Sequence, residues 1–321
     1  MPPDWLRRVA LITRGGRQAI ERHVREAESR LRYGHGATRA LERDLTWIMG
    51  SPRSGSSWLL KMLAHHERVI AIDEPYWGPH LAPVGSVDPL STVTASHAAR
   101  SDYCFSAEYE EVWRPLVRTL ILNRIRAQVE RTSRARRIDR PVIVLKEPNG
   151  SHAADLIMSL VPDSRLVFLL RDGRDVIDSI LDATSGDTWL GAFGGSDEHV
   201  RLEAIRFRAN SWVFNTDAVQ RAFAEHAPDR RFAIRYEELL ADPLTRLGEL
   251  LRWAGLATSE DRLRQIVASE SFSSIPAEAR GSGKVSRAAT PGLWRENLTA
   301  AEQQLVIELL GEKLEELGYE T

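Results

Sequence analysis

Short apolar runs alternate with amphipathic stretches along most of this chain. Runs typical of buried β-strands cover Leu45–Gly50, Val69–Ile72, Pro141–Lys146, Arg165–Leu170 and Arg231–Arg235. Stretches with helical periodicity follow at Ser56–His66, Ser151–Leu160, Asp175–Leu181, His199–His226 and Pro243–Ala254. Strands that alternate with helices predict an α/β fold, in which helices flank a central, mostly parallel sheet. In such sheets, ligands bind at the carboxyl ends of the strands.

A change in composition sets the predicted domain boundary. Residues 1–43 predict a helical extension that is broken by glycines and carries charges of alternating sign. This alternation favours a solvated or partner-facing extension over a helix that lies on a membrane. Residues 44–321 predict one domain. We expect substrate contacts in its loop-like stretches at 73–100, 185–198 and 273–293.

Composition and charge exclude several classes of protein. The 321 residues are 43% hydrophobic, which is enough to bury a full core. The net charge of −2 gives no global field that would recruit nucleic acid, so we expect anion binding to be local. The single cysteine, Cys104, fits a reducing compartment, and we expect a cytoplasmic protein. No apolar run approaches the ~20 residues that span a bilayer, and the histidines lack metal-ligand spacing, so we expect neither a membrane anchor nor a metal.

The candidate chemistry begins in the loop after the first predicted strand. An apolar run, a glycine-containing loop and a helix start follow one another there, in the order that a phosphate-binding loop needs. Gly50, Gly55 and Ser57 fit the spacing G-x-x-x-x-G-K-S/T, but Ser56 stands where that motif has lysine. The cation of the loop is Arg53 instead. The loop therefore predicts binding of a phosphorylated nucleotide by a protein that is not an ordinary ATP- or GTP-cleaving enzyme.

Two further predicted strands end in cations. Arg171 ends one of them, and its guanidinium group suits bidentate capture of a phosphate, with Ser179 eight residues later on the next helix. The alternative is a surface cluster of ion pairs over residues 171–175. Lys146 ends another strand and can point into the same crevice, unless it lies in solvent.

A late basic segment leads from Arg287 into the last predicted helix. Thr299 and Glu302 have the spacing of a capping box, which predicts that this helix begins after Thr299. That structural role explains neither Arg287 nor Trp294. Both residues therefore remain candidates for ligand binding.

Together, in this order along the chain, these motifs resemble the sulfotransferases that use 3′-phosphoadenosine 5′-phosphosulfate (PAPS). Pro52–Trp58 matches the first loop of that family, P-K/R-S-G-T/S-T/S-W, and Arg171 with Ser179 matches its second motif. The late motif matches at Arg287, Gly292, Trp294, Arg295 and Thr299, although Ala288 and Ala289 replace a lysine and a glycine. Another match is Tyr236–Leu239 followed by Asp242-Pro243. The resemblance covers about residues 44–300.

The resemblance implies a P-loop-like domain that transfers a sulfuryl group from PAPS to a hydroxyl of an acceptor and releases 3′,5′-adenosine bisphosphate (PAP), without a metal. By similarity, the 5′ end of the donor is held by Arg53, Ser54, Gly55, Ser56 and Ser57. The 3′-phosphate is held by Arg171, Ser179 and Arg287, with Lys284 or Arg280 compensating for Ala288. Trp58, Tyr236 and Phe272 are expected at the adenine, with core packing as the alternative for Trp58 and Phe272.

The resemblance also bears on the general base. Many small-molecule sulfotransferases have a histidine where this chain has Pro148. Lys146-Glu147-Pro148 is more similar to the tyrosylprotein and carbohydrate branches. In the tyrosylprotein branch, an acid about twenty residues after the loop arginine is the base. We therefore expect Glu74 in this role, with Lys146 and Arg53 stabilising the leaving phosphate. Asp73, Glu147 and His152 are the alternatives for the base.

Two other functions stay open from the sequence. A P-loop kinase would need lysine at position 56 and a magnesium-binding acid at the Arg171 strand end. A nucleotide-binding module without activity would not need Arg53, Lys146 and Glu74 together. The expected partner is an acceptor that carries a hydroxyl, which could be a small molecule, a glycan or a natural product. The oligomeric state stays open between a monomer and a homodimer.

Overall fold

The computed structural model describes residues 40–81, 100–136, 138, 140–184, 198–284 and 287–320. The extension predicted over residues 1–43 lies outside these residues, apart from 40–43, which are helical. Most of the predicted substrate loops at 73–100 and 185–198 also lies outside them.

Five parallel strands form the central sheet of the described residues. They are β1 (Leu45–Met49), β2 (Val69–Asp73), β3 (Val142–Lys146), β4 (Arg165–Leu170) and β5 (Arg231–Arg235). Their order across the sheet is β2-β3-β1-β4-β5, and each neighbouring pair is parallel. The predicted α/β class is confirmed, and each predicted strand is present to within a residue at either end.

Helices cover both faces of this sheet. Those before β4 are α1 (Ser56–Ala64), α2 (Trp77–Leu81), α3 (Glu110–Arg136) and α4 (Ala154–Leu160). Those after it are α5 (Gly173–Thr184), α6 (Glu198–Glu225), α7 (Tyr236–Ala241), α8 (Pro243–Trp253), α9 (Glu260–Ser269), α10 (Trp294–Asn297) and α11 (Ala300–Glu316). Short 3₁₀ turns lie at Pro148–Ala153, Ala107–Tyr109, Pro228–Arg230, Phe272–Ser274 and Ala277–Ala279. The helix predicted over Ser151–Leu160 therefore begins as a 3₁₀ turn.

The strands consist of apolar residues because side chains on both faces of the sheet are buried. On β1, Trp47 packs into the cluster formed with α3 and α4. Ile48, the next residue, points to the other face and packs with α1 and α8. A third cluster joins α5, α6 and α11 around Trp212. Burial on both faces explains why the strands read as continuous apolar runs.

The parallel arrangement decides where chemistry can occur. The carboxyl ends of all five strands lie at one edge of the sheet, and β1 is central. The loop after β1, Asp73 on β2, Lys146 on β3 and Arg171 after β4 are therefore brought to the same edge. This is the edge at which open α/β sheets bind ligands.

The capping box predicted for the last helix is present at the start of α11. The Thr299 hydroxyl accepts the Glu302 backbone N–H at 3.3 Å, and a Glu302 carboxylate oxygen accepts the Thr299 N–H at 2.9 Å. Two N–H groups that the helix leaves unpaired are satisfied in this way.

Replacement of Thr299 by alanine removes one of these bonds. We expect Thr299→Ala to lower the free energy of unfolding by about 1 kcal/mol, as measured by urea denaturation. Thr299→Ser keeps the hydroxyl and should stay close to the wild type. Equal losses in the two variants would show that the methyl group, and not the cap, stabilises the helix start.

Candidate active site

A glycine-containing loop joins β1 to the start of α1. Gly55 has a φ of 88°, in the left-handed region, and caps α1 without a side-chain hydrogen bond. A Cβ atom on Gly55 would lie 2.5 Å from Cδ2 of Tyr236, so a larger residue does not fit. The first turn of α1 contains no acidic residue. Its N–H groups and the helix dipole therefore favour an anion at this end of the helix.

Arg53 connects this loop to the end of β4. Its Nε donates to Ser179 Oγ at 3.0 Å, and Arg171 Nη1 donates to the Arg53 carbonyl oxygen at 2.8 Å. Burial lowers the pKa of Arg53, and the positive charges of Arg171 and Arg287 lower it further, against the opposing charge of Asp182. Three guanidinium groups thus share one half-buried region, whereas the resemblance assigns Arg53 to the 5′ end of the donor and Arg171 and Arg287 to its 3′-phosphate. Such a cluster favours a multiply charged anion.

Aromatic rings form a wall beside the loop. The Arg171 guanidinium group lies over the Tyr236 ring, 4.4 Å from its centre. Trp58 meets the same ring edge-on at 6.0 Å, and its Nε1 donates to the Glu270 carbonyl oxygen at 2.8 Å. Phe272 follows two residues later and stacks with Arg280, whose Cζ lies 5.5 Å from the ring centre. Trp58 and Tyr236 are therefore together at the loop, and Phe272 lies in the segment that Trp58 contacts.

Three carboxylates of α5 hold the late basic segment against the loop. They are Asp175, Asp178 and Asp182, at the spacing of one helix face. Asp175 accepts the Gly292 N–H at 2.7 Å, Asp178 accepts Arg287 Nη2 and Asn297 Nδ2, and Asp182 accepts the Ser282 hydroxyl at 2.5 Å and the Gly283 N–H at 2.8 Å. Sequence reasoning missed this set of residues. Its signal was the spacing of three acids along a helix whose other face is apolar.

The proposed surface ion-pair cluster at residues 171–175 is wrong. Arg174 does pair with Asp172, with Nη2 at 2.8 Å from Oδ2, but both residues are buried. Asp175 binds the late segment instead. Burial raises its pKa, although hydrogen bonds from the Gly292 and Trp294 N–H groups act to lower it. Arg171 turns to the loop and to Tyr236.

Lys146 is the centre of the second half of the site. Its side chain is 3% exposed, so the alternative of a lysine in solvent is wrong. Its Nζ lies 2.9 Å from Ser57 Oγ, 2.7 Å from Glu74 Oε1 and 2.7 Å from Asp73 Oδ1. The ammonium group thus joins the start of α1 to the acids that end β2.

Glu74 is held on both carboxylate oxygens. Lys146 binds Oε1, whereas the Tyr76 hydroxyl and Asn149 Nδ2 each donate to Oε2 at 2.7 Å. Burial acts to raise the pKa of Glu74, but the hydrogen bonds from Lys146, Tyr76 and Asn149 outweigh it, so the pKa is lowered. Glu74 is therefore ionised at neutral pH. No motif in the chain singles out Tyr76 or Asn149.

The other candidates for the base differ from Glu74 in exposure. The Asp73 carboxylate is 64% exposed. Glu147 is only 1% exposed, and burial raises its pKa to about 7 despite the N–H groups around it. His152 stacks on Phe214 with the ring centres 6.4 Å apart, and burial lowers its pKa. Glu74 alone in this set combines a direct bond to Lys146 with partial burial.

Among the residues that the structure describes, no three histidine, cysteine, aspartate or glutamate side chains are arranged to hold a metal ion. No helix in this part of the chain has the length and apolar character needed to cross a membrane.

Solved structures with this fold include a retinol dehydratase and several sulfotransferases. Retinol dehydratase in a complex with retinol and PAP has a TM-score of 0.53 at 14% identity, covering 87% of this chain and 83% of that one. Mouse sulfotransferase SULT7A1 complexed with PAP has a TM-score of 0.51 at 14% identity, covering 85% of both chains. The sulfotransferase domain of the Synechococcus PCC 7002 olefin synthase has a TM-score of 0.50 at 18% identity, covering 86% and 95%. At these identities the similarity shows the fold.

Sequence comparison decides the family. No curated protein sequence matches this chain. The model of the sulfotransferase family matches residues 46–260, which is more than half of the chain and includes the loop, Lys146 and Arg171. The chain therefore belongs to the sulfotransferase family and is a sulfotransferase enzyme, as its motifs predict.

Proposed function

We propose that this enzyme transfers the sulfuryl group of PAPS to a hydroxyl of its acceptor in one in-line displacement, with Glu74 as the general base. The observation that carries the proposal is the position of Lys146, whose Nζ binds both Ser57 of the loop and Glu74. One ammonium group therefore lies between the anion-binding end of α1 and an ionised carboxylate. A sulfuryl transfer needs both at its reacting centre.

Two adjoining anion sites, which Arg53 connects through its bond to Ser179, suit the donor. PAPS carries a 5′-phosphosulfate and a 3′-phosphate. The loop at the start of α1 suits the first, because the first turn of α1 carries no acid that would compete with an anion for its N–H groups, and Arg53 lies in the same loop. Arg171, Ser179 and Arg287 suit the second, where Arg287 is already fixed by Asp178. The PAP complexes of two proteins with this fold support the same donor.

The proposed step balances in atoms and charge. The acceptor oxygen forms a bond to sulfur while the bond between sulfur and the 5′-phosphate oxygen breaks. Glu74 takes the hydroxyl proton on Oε1, which accepts a bond from Lys146 and keeps a lone pair, whereas Oε2 already accepts bonds from both Tyr76 and Asn149. Lys146 and Arg53 stabilise the negative charge that develops on the leaving phosphate oxygen. A preorganised ammonium group needs no reorganisation during the step.

The kinase alternative fits these residues poorly. Position 56 holds a buried serine, and the residue after β4 is an arginine over Tyr236, where a kinase would need a magnesium-binding acid. The inactive-module alternative is a matter for experiment.

The acceptor is proposed only as a class, a molecule with a hydroxyl group. We propose a soluble, cytoplasmic enzyme with neither a membrane nor a nucleic acid as partner, on the basis of the single exposed thiol of Cys104 and the net charge of −2. The resemblance leaves the oligomeric state open between a monomer and a homodimer.

Donor binding can be tested without an acceptor. We expect PAP to raise the melting temperature, and ATP with Mg²⁺ to leave it unchanged. By calorimetry, Arg171→Met should weaken PAP binding at least about 10-fold, since a charge-assisted hydrogen bond contributes about 1.5–3 kcal/mol. Arg165→Met, at the other end of β4, is the matched control. Stabilisation by ATP–Mg²⁺ alone would overturn the proposal.

Activity tests the proposed base. A panel of phenols, alcohols, monosaccharides and a tyrosyl peptide identifies an acceptor through PAP release from PAPS. Glu74→Gln should lower kcat by about 10²–10⁴-fold and leave PAP affinity unchanged. Asp73→Asn is the control, because it also contacts Lys146, and it should keep most of the activity. The reverse result would assign the base to Asp73. PAP binding without turnover on any acceptor would favour the inactive module.

Lys146 has a separate expected effect. Lys146→Met keeps most of the side-chain volume and removes the charge. We expect kcat to fall by about 10²–10³-fold, the usual loss for one preorganised donor, while the melting temperature shows that the protein remains folded. An unchanged kcat in a folded Lys146→Met would remove Lys146 from the mechanism.

A further inference from the structure

The turn that carries Glu74 has a strained backbone. Glu74 has a φ of 44° and Tyr76 a φ of 57°, on either side of Pro75. Residues with side chains rarely adopt this left-handed conformation, because Cβ crowds the backbone. Such a turn persists only where its surroundings hold it. Hydrogen bonds that the Glu74 carboxylate accepts from the Tyr76 hydroxyl and from Asn149 Nδ2 hold one side of the turn.

A buried carboxyl group holds the other side. Glu147 follows directly after β3, and its Oε1 accepts the Gly78 N–H at 3.4 Å. The backbone N–H groups of Tyr76 and Trp77 also interact with this carboxyl group. Three consecutive N–H groups, which the short helix α2 leaves unpaired, thus face one side chain. Within the described residues, Oε2 of Glu147 has no hydrogen-bond partner.

Two glycines allow the chain to close around this carboxyl group. A Cβ atom on Gly150 would lie 2.2 Å from Glu147 Oε1, and one on Gly78 would lie 2.2 Å from the Gly150 carbonyl oxygen. A larger residue at Gly78 would require a shift of the backbone, and a larger residue at Gly150 would displace the Glu147 carboxyl group. The side chain is thereby fixed between α2 and the 3₁₀ turn at residues 148–153.

The backbone of Glu147 is tied to the phosphate-binding loop. Its N–H donates to the Ile48 carbonyl oxygen at 3.0 Å. The Ser151 hydroxyl donates to the Glu147 carbonyl oxygen and accepts the Gly50 N–H, each at 2.9 Å. The same residue therefore contacts the start of the donor loop through its backbone and the Glu74 turn through its side chain.

We propose that Glu147 is a positioning residue. Its carboxylate binds the backbone N–H groups of residues 76–78 and so holds Glu74 against Lys146. This inference rests on the proposed role of Glu74 as the base. Glu147 is not placed to be the base itself, because it is 1% exposed and enclosed by backbone groups.

The charge state of Glu147 gives the proposal a measurable signature. Burial raises the pKa of Glu147 to about 7. The N–H groups partly offset this increase, and the negative charge of Glu74 adds to it. Among the described residues, Tyr76 in the turn interacts electrostatically with Glu147, and His152, whose pKa is lowered by burial, shares the Gly78 N–H with it. Lys146 precedes Glu147 on β3. A neutral carboxyl group accepts weaker hydrogen bonds than a carboxylate. Because the N–H groups act to lower the pKa of the buried carboxyl group, ionisation strengthens their contact with it, and this local contact weakens as pH falls through about 7 while Glu147 stays buried. Glu74, with its lowered pKa, stays ionised there. The free energy of global unfolding has the opposite sign, because the pKa of Glu147 that burial raises favours the folded chain at lower pH.

The experiment combines hydrogen exchange and kinetics on the full chain. In Glu147→Ala, amide exchange of a peptide covering residues 74–81 should rise about 10-fold, with a smaller rise in Glu147→Gln. With the best acceptor of the panel, kcat should fall about 10- to 100-fold, as expected for a misplaced catalytic group, while KM for PAPS stays unchanged. The wild-type kcat should show an acid limb near pH 7, which Glu147→Gln removes.

Glu42→Gln is the matched control for Glu147→Gln. Glu42 is also 1% exposed and accepts a backbone N–H, that of Asp163 at 2.8 Å, but it lies away from the site and pairs with Arg118. It should change neither the exchange of residues 74–81 nor the pH profile. If Glu147→Ala does not fold, the isosteric Glu147→Gln carries the test through its pH profile and its exchange.

Two outcomes would overturn the inference. Wild-type exchange and wild-type kcat in the Glu147 variants would show that the carboxyl group does not hold the turn. Wild-type exchange with kcat as low as in Glu74→Gln would make Glu147 the base. Failure of the proposed function looks different, because the wild type would then neither bind PAP nor release it from PAPS.

Discussion

The site depends on one buried cation, the Lys146 ammonium group. A charge that is 3% exposed must have anionic or polar partners, because desolvation without them is costly. Its partners come from different elements: Ser57 from the start of α1, and Asp73 and Glu74 from the end of β2. The need to satisfy this charge therefore aligns the donor loop with the acid that we propose as the base. The strained turn at Glu74 is a consequence of that alignment. Glu147 supports the turn through the Gly78 N–H.

On the donor side of the site, groups of like charge lie close together. Arg171 and Arg287 lie close enough to Arg53 to lower its pKa. The repulsion among these three guanidinium groups must therefore be offset when no ligand is bound. The carboxylates of α5 do this and also fix the late segment, which carries Arg287. A site that keeps its cations in place before binding loses less conformational freedom when the donor arrives.

Much of the architecture could be predicted because its signals are local. The five strands are continuous apolar runs, and the capping box at Thr299 lies within four residues. The loop motif also lies in one short stretch. The carboxylates of α5 were missed because their partners lie more than 100 residues later in the chain. Tyr76 and Asn149 were missed because nothing in their own neighbourhoods marks them as partners of Glu74.

The sequence by itself determined the fold class, the sulfotransferase family, and the residue types that meet at the carboxyl edge of the sheet. Periodicity and motif spacing are written in consecutive residues, and a parallel sheet brings its strand ends to one edge whatever the loops do. Only the tertiary structure decided the charge states and the roles of the acids. Asp73, Glu74 and Glu147 have similar chemistry and lie at neighbouring strand ends. Exposure, a hydrogen bond to Lys146 and enclosure by backbone N–H groups distinguish them, and all three depend on contacts between distant parts of the chain.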